Sequence, residues 1–448
     1  PALPPGSFAA LSSAQLETVL LAGSAFARDL PGHYLPNEAG DQLFEKEGGH
    51  VYRQGFFVGD GTGVGKGREA AACLMDQWCR GNRRHLWISL NGPLLGDARR
   101  DWEALGGMGV DIQPLDAIGL GQPITLSAGI LFLTYSTLRS VRDKGTSRLD
   151  QILAWLGDDY EGLIVLDESH ALANAAPSAS DFGDGVASQQ GITGLRLQNA
   201  LPRARILYVS ATGATTPANL GYAQRLSLWG VGTAFATRAN FTAAMEKGGI
   251  AAMEVVSRDL KATGLYTARS LSYAGIEYEP LEHKLTPAQI AIYDAYADAW
   301  QVVHAGLDAV LKATNVIDRV GGDTLNAQAK GAALSRFESS RQRFFSALLV
   351  AMKMPTLLKA IEAELAQGHV AVVQLVSTSE AILERRLAAL SPDERANLDL
   401  DLSPRDVLVR YLTDAFPVRQ MEVFKDNSGE VRSRPASDAD GNPVLSQE

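Results

Sequence analysis

Gly59-Asp60-Gly61-Thr62-Gly63-Val64-Gly65-Lys66-Gly67-Arg68 is the stretch on which the reading of this 448-residue chain turns. It follows a short apolar run, Gly55-Phe56-Phe57-Val58, that reads as a strand. It leads into Glu69-Ala70-Ala71-Ala72-Cys73-Leu74-Met75, which reads as a helix. Strand, glycine-rich turn, lysine and helix in that order make the layout of a phosphate-binding loop. Glycines let backbone N–H groups converge on phosphate oxygens, and the helix N-terminus adds partial positive charge. Lys66 would then reach the outer phosphates, and Asp60 to Arg68 together become a candidate nucleotide cradle. A flexible surface loop with alternating glycines is the competing reading, and the loop alone does not decide between them.

Composition narrows the classes. A chain of 448 residues has room for two or three domains, and 46% hydrophobic residues is ordinary for a globular protein. The net charge of -10 argues against a uniformly basic nucleic-acid coat and leaves a local basic groove open. Cys73 and Cys79 match no metal or redox spacing and read as buried free thiols of a reducing compartment. No run of about 18 uncharged apolar residues stands out. The expectation is a cytoplasmic protein, nuclear if eukaryotic, and the Ala- and Gly-rich composition leans toward a bacterial, phage or mobile-element source.

Along the chain, Ser12 or Ser13 begins a helix with Leu16, Val19 and Leu20 at helical spacing. His85–Leu90, Gly129–Tyr135, Gly162–Leu166 and Arg205–Val209 are nearly continuous apolar runs, as expected of strands buried on both faces. Helical spans such as Ser147–Leu156 lie between them, so the fold class is α/β with a parallel sheet. Ala173–Thr193, rich in Ala, Ser, Gly and Asp, reads as a long loop. The expected division is a nucleotide-binding lobe over residues 1–275 and a mainly helical region over 276–367. A further α/β unit begins at 368–424, and a polar tail over 425–448 reads as disordered. Within these, Ile276–Leu285 and Gly368–Val376 read as strands, and Ala288–Lys312, Ala333–Gln367 and Glu380–Leu390 as helices.

Two further motifs carry chemistry. Leu166-Asp167-Glu168-Ser169-His170 ends an apolar strand, and ligands of open parallel sheets bind beyond the carboxyl ends of strands. Asp167 there can hold Mg²⁺ directly or through water, and Glu168 can accept a proton from an attacking water. An acidic turn is the bland alternative. Val209-Ser210-Ala211-Thr212-Gly213 ends another strand, where hydroxyls could bond the acidic box, His170 included, and relay nucleotide state. Its bland alternative is a helix cap. The order of phosphate loop, Asp-Glu-x-His and Ser-Ala-Thr is the motif order of superfamily 2 helicases and translocases.

The resemblance narrows further. The loop Gly59–Arg68 resembles that of the Strawberry notch family of helicase-like ATPases, as do Leu11–Glu17, Thr134–Leu138 and Leu197–Pro202. Ser210–Ala214, Leu228–Gly230 and Gly264–Arg269 also fit, so the similarity runs from about Leu11 to about Phe424. The family implies a DNA-stimulated ATPase with ATP and Mg²⁺, built from two RecA-like lobes and related to SNF2-type translocases. By this resemblance Gln15 matches the adenine-reading glutamine, Lys66 the phosphate lysine, Asp167 the magnesium carboxylate and Glu168 the water-activating base.

Two departures accompany it. Most such loops place Ser or Thr after the lysine as a Mg²⁺ ligand; here that position is Gly67, and a water or Thr62 is the expected replacement. The arginine motif of a second lobe is not found after Gln374, and an arginine finger is worth roughly 10³–10⁵ in turnover. The expectation is an N-terminal part of a longer protein with weak hydrolysis by itself, completed by a C-terminal region or a partner protein. Ser89, Asn91, Thr134, Ser136 and Thr137 lie where this superfamily contacts a nucleic-acid strand. Arg336, Arg341 and Arg343, interleaved with phenylalanines, form a basic helical segment that reads either as a nucleic-acid contact or as arginines in solvent over a phenylalanine core. The alternative function is a nucleotide-switched scaffold that binds ATP and a partner without efficient hydrolysis. A small-molecule kinase explains the loop but neither later motif.

Overall fold

The computed structural model describes the chain except for residues 142–146, 174, 176–178, 181–182, 185–187, 212–219, 273, 375–403, 426–430, 439–441 and 446–448. The described chain divides into two compact units, Pro1–Gly275 and Ile276–Glu448.

The first unit is built on a seven-stranded sheet. Its strands are β1 (Phe56–Val58), β2 (Arg84–Ser89), β3 (Ile112–Pro114), β4 (Gly129–Thr134), β5 (Leu163–Asp167), β6 (Arg205–Val209) and β7 (Tyr266–Thr267). The spatial order is β7-β1-β6-β5-β2-β4-β3, and every neighbouring pair is parallel. Parallel strands need crossover connections, here supplied by helices such as Lys66–Cys79 between β1 and β2 and Leu94–Glu103 between β2 and β3. Leu163, Ile164, Val165 and Leu166 of β5 are all fully buried, so both faces of the central strands are covered. Each such aliphatic side chain contributes about 1.5–3 kcal/mol by leaving water. The arrangement is a RecA-like α/β fold. On its first crossover helix Cys73 is buried as expected, whereas Cys79, at the last helical position, is exposed.

One device that braces this sheet lies beneath it. Arg225 is fully buried and has no carboxylate partner among the described residues. Its guanidinium donates to the carbonyls of Arg53 at 2.9 Å, Pro202 at 3.1 Å, Leu201 at 2.8 Å and Gln198, and lies 4.7 Å over the Tyr52 ring. Gln198 and Leu201 end the helix Gln189–Ala200, whose last carbonyls have no intrahelical partner, so a cation there satisfies them and meets the negative helix pole. The Leu197–Pro202 block is thus the receptacle for one arginine.

The second unit contains two long helices, Pro287–Ala313 and Ala327–Ala366, around an aromatic core of Trp300, Phe337, Phe344 and Tyr411. The second helix is long and apolar enough to cross a membrane by length and composition only, with a mean hydropathy of 1.5 in its most apolar window, although no such run was expected from the sequence.

Three expectations of the sequence differ here. Ile276–Leu285 forms no strand, because Pro280 interrupts it and no sheet edge among the described residues receives it; Tyr278 is 89% exposed. Residues 368–374 form no strand either, with Val370 and Val372 in solvent, and the helix expected over Glu380–Leu390 lies outside the described residues. In the polar tail, Val431–Pro435 pairs antiparallel with Met421–Lys425. Backbone bonds tie this hairpin to the helical loop, Met421 N to Thr314 O at 2.9 Å and Ser433 N to Leu325 O at 3.0 Å. Composition alone does not reveal pairing of that kind.

Candidate nucleotide site

Strand register brings the three motifs to one level. Val209 of β6 pairs with Val58 of β1 on one side and with Asp167 of β5 on the other. The phosphate loop, Ser210 and Glu168 therefore leave the sheet side by side at its carboxyl edge, and the Ser210 N–H donates to Val58 O at 3.0 Å.

The loop turns on two left-handed glycines, Gly63 (φ 92°) and Gly65 (φ 98°). The left-handed conformation demands glycine at both, and at Gly65 a Cβ would also run into the Gln15 amide. The helix Lys66–Cys79 begins directly after Gly65 with no side-chain cap, which leaves its first N–H groups facing the loop's concavity. The Lys66 ammonium lies 3.4 Å from Gly61 O across that concavity, and Thr62 is exposed. Gln15 stands over the loop's end. Its Nε2 donates to Val64 O at 3.1 Å while its Oε1 accepts from Ser12 N at 3.0 Å in a capping box, so Ser12 fixes both the helix start and the amide's orientation.

Gly67 has a steric explanation. A Cβ there would meet Asp101 Oδ2 at 2.5 Å. Asp101 is held in place by Arg68, at 3.1 Å from its Nη2, and by Arg100. The space that a Ser or Thr side chain would take after the lysine is filled by a carboxylate of the helix Leu94–Glu103.

The loop's flanks carry buried charge. Asp60 and Glu69 are both fully buried, one at the loop's start and the other in the first turn of its helix. Burial, then the Asp60 charge, pushes the Glu69 carboxyl up to about 7, against the pull of Thr18 and Arg269. The Arg269 guanidinium spans the two, with Nη2 at 2.7 Å from Asp60 Oδ2 and 2.8 Å from Glu69 Oε1.

At the acidic box, Asp167 Oδ2 accepts from Ser89 Oγ at 2.8 Å and Oδ1 from the Glu168 N–H at 3.0 Å. Burial raises the Asp167 carboxyl, and these donors pull the other way. Each oxygen keeps a free lone pair, a donor set that suits Mg²⁺. Tyr135 OH donates to Asp167 O at 2.8 Å from below. Glu168 adopts the left-handed conformation (φ 47°), uncommon for a non-glycine residue and a mark of functional sites. Its Oε2 lies 3.3 Å from His170 Nδ1, which is also 3.1 Å from Ser210 Oγ. Ala211 is exposed, and Thr212 lies outside the described residues.

The strand-contact candidates separate. Ser89 is fully buried on Asp167, so its hydroxyl faces the acidic box and not solvent. Thr134 caps the turn Tyr135–Leu138 through the Thr137 N–H, and Thr137 Oγ1 donates to Asp116 at 3.1 Å. Asn91 and Ser136 are exposed. In the second unit Arg336, Arg341 and Arg343 face solvent while Phe337 and Phe344 fill the core. A cavity of about 1020 Å³ lies away from these motifs, lined by Tyr34, Leu43, Trp229, Val231 and Arg238 among others. Arg269, the last residue of the Gly264–Arg269 block, and Asp101 carry no signal of a role at the loop in the sequence, since no local pattern connects either of them to it.

A RecA-like sheet with a glycine loop, a lysine at a helix N-terminus and an acidic box on one edge defines a P-loop nucleoside-triphosphatase lobe. The family model for the P-loop containing NTP hydrolase pore-1 matches residues 3–295, and the chain belongs to that family. Its relatives are Strawberry notch proteins. It is 33% identical to the Drosophila melanogaster protein strawberry notch, over 91% of this chain and 23% of that protein. It is 33% identical to human strawberry notch homolog 1, over 91% of this chain and 27% of that protein. Identity to Arabidopsis thaliana FORGETTER 1 is 36%, over 82% of this chain and 27% of that protein. The chain thus spans about a quarter of these relatives' length. Among solved structures, the Sulfolobus solfataricus SWI2/SNF2 ATPase core in complex with dsDNA is 17% identical, with a TM-score of 0.34, over 81% of this chain and 71% of that one.

Proposed function

We propose that the first unit is a helicase-like ATPase lobe that binds ATP with Mg²⁺ and acts on nucleic acid, double-stranded DNA in particular. The observation that supports this most is the common level of Val58, Val209 and Asp167, which gathers all three motifs on one sheet edge. In this reading the N–H groups at the start of Lys66–Cys79 and the Lys66 ammonium hold the phosphates. Asp167 would hold Mg²⁺, which would supply positive charge against that of the phosphates. Glu168 takes the proton of the attacking water. His170 passes the state of the box to Ser210, 3.1 Å away. Gln15 reads the base through the amide that here rests on Val64 O. Asn91 and Ser136, exposed at the ends of β2 and β4, are the proposed contacts to a nucleic-acid strand.

The test is ATP turnover measured with and without double-stranded DNA in the wild-type chain, Lys66→Ala and Glu168→Gln. Lys66→Ala is expected to lose nucleotide binding, and Glu168→Gln to bind nucleotide but turn over at least about 100-fold more slowly. Unchanged turnover in both variants would show the site to be misassigned. Tight binding with no turnover in the wild type, DNA present or not, would favour the nucleotide-switched scaffold.

A further inference from the structure

The Gly264–Arg269 block has no part in the function just described, yet its last residue sits against the phosphate loop. Asp60 and Glu69 bracket the loop, and both carboxylates are fully buried. Two adjacent buried carboxylates repel each other and keep their desolvation cost unless a cation neutralises them. Arg269 reaches both. Its Nε lies 2.9 Å from Asp60 Oδ2 and its Nη2 2.8 Å from Glu69 Oε1. The same guanidinium bonds Ala14 O and Thr18 Oγ1 and lies 3.2 Å from Glu17, all on the helix that carries Gln15.

The main chain repeats the arrangement. Gly59 N donates to Thr267 O and Gly61 N to Arg269 O, both at 2.7 Å, and the Arg269 N–H donates to Asp60 Oδ1 at 3.0 Å. The edge strand β7 thus continues along the first half of the loop. A planar five-donor fork suits this task, because it bridges two carboxylates in fixed geometry where an ammonium would make point contacts.

We propose that Arg269 is the positioning residue of the phosphate loop. It locks Asp60 to Glu69 and to the Gln15 helix, so that the N–H groups of Thr62, Gly63, Gly65 and Lys66 already have their nucleotide-accepting arrangement before nucleotide arrives. This rests on reading Gly59–Arg68 as the nucleotide loop. Preorganisation of this kind shows up as affinity, since binding no longer has to order the loop.

The test compares Arg269→Ala, Arg269→Lys and the triple variant Asp60→Asn/Glu69→Gln/Arg269→Ala with wild type and Lys66→Ala. The probe is a fluorescent ADP with Mg²⁺. Thermal midpoints and amide hydrogen exchange of residues 59–66 are measured alongside. Arg269→Ala is expected to weaken binding at least about tenfold and to speed exchange in the loop, with Arg269→Lys between it and wild type. The triple variant has no unpaired buried charge, so it is expected to recover its midpoint while its affinity stays low and its loop exchange fast. Recovery of affinity together with the midpoint would overturn the proposal, leaving Arg269 a neutralising ion only. Wild-type affinity in Arg269→Ala would overturn it as well. A wild-type chain that does not bind the probe, or a Lys66→Ala variant that binds it unchanged, would overturn the loop reading itself and this proposal with it.

Discussion

Ser89→Ala removes one donor from the acidic box and alters nothing else of comparable size. The Ser89 hydroxyl is fully buried and bonds Asp167 Oδ2 at 2.8 Å. A buried hydrogen bond to an ionised group contributes about 1.5–3 kcal/mol, a factor of roughly 10–150 in an equilibrium. Asp167 must be ionised to hold Mg²⁺. Burial already raises its carboxyl and the Ser89 donor opposes that, so the variant's carboxyl rises further. Mg²⁺ titrations of fluorescent-ADP binding between about pH 5 and 8 are the assay, with DNA affinity measured beside them. The apparent Mg²⁺ affinity is expected to fall roughly 10- to 100-fold, the range for partners that orient a metal ligand, and its pH midpoint to move upward. DNA affinity is expected to stay within about twofold, because Ser89 does not face solvent. Unchanged Mg²⁺ dependence with weakened DNA binding would refute this reasoning and return Ser89 to the nucleic-acid strand.

Other perturbations are sharp too. Arg225→Met leaves the carbonyls of Gln198, Leu201, Pro202 and Arg53 without their donor, at about 1–3 kcal/mol for each that water does not reach, so urea unfolding should show a loss of about 3 kcal/mol or more; a loss below about 1 would refute the bracing role. Glu69 and His85 should tilt the stability–pH curve in opposite senses. The folded state holds the Glu69 proton up to about pH 7 while the unfolded chain releases it near 4.5, so this group's contribution is present below about 4.5 and lost as pH rises through about 7. His85 is held neutral by burial, its Nδ1 accepting from Leu163 N and its Nε2 bonded to Asn82 O, with its pKa lowered from 6.5 to about 4. Its contribution is present above about 6.5 and lost as pH falls through about 4. Glu69→Gln should therefore unmask a steeper acid-side loss in chemical denaturation than the wild type shows, and an unchanged slope would count against the Glu69 shift. Gly67→Ser should cost about 1–3 kcal/mol through its clash with Asp101, read as a lower thermal midpoint that Gly67→Ser/Asp101→Ala partly restores; a neutral single variant would show that Asp101 yields freely.

The parts legible in the sequence are those with short-range signatures. Strands β2, β4, β5 and β6 are continuous apolar runs because both of their faces are covered, and the phosphate loop and Asp167-Glu168 announce themselves by residue type at fixed spacing. Strand β7 is only Tyr266–Thr267, held by β1 and by no pattern of its own, and β3 is as inconspicuous. Ile276–Leu285 and Gly368–Val376 read as strands because apolar residues recur there, but a strand is made by its neighbour, and the described residues, 368–374 in the second stretch, have none. The charge network behind the loop joins Glu17, Asp60, Glu69 and Arg269, contacts that only folding brings about. Ser89 shows the same limit: a polar residue at a strand end reads as a ligand contact until its partner is seen.

The course of the backbone beyond β7 has a mechanical side. Phe57 N bonds Leu265 O, Gly59 N bonds Thr267 O and Gly61 N bonds Arg269 O, three rungs of which the last is on the phosphate loop. The first unit ends at Gly275, six residues beyond that rung. Tension applied from downstream and directed away from the sheet edge would unzip the rungs one at a time, from Arg269 back toward Leu265. The first bond to open under such a load is the one that shapes the nucleotide cradle.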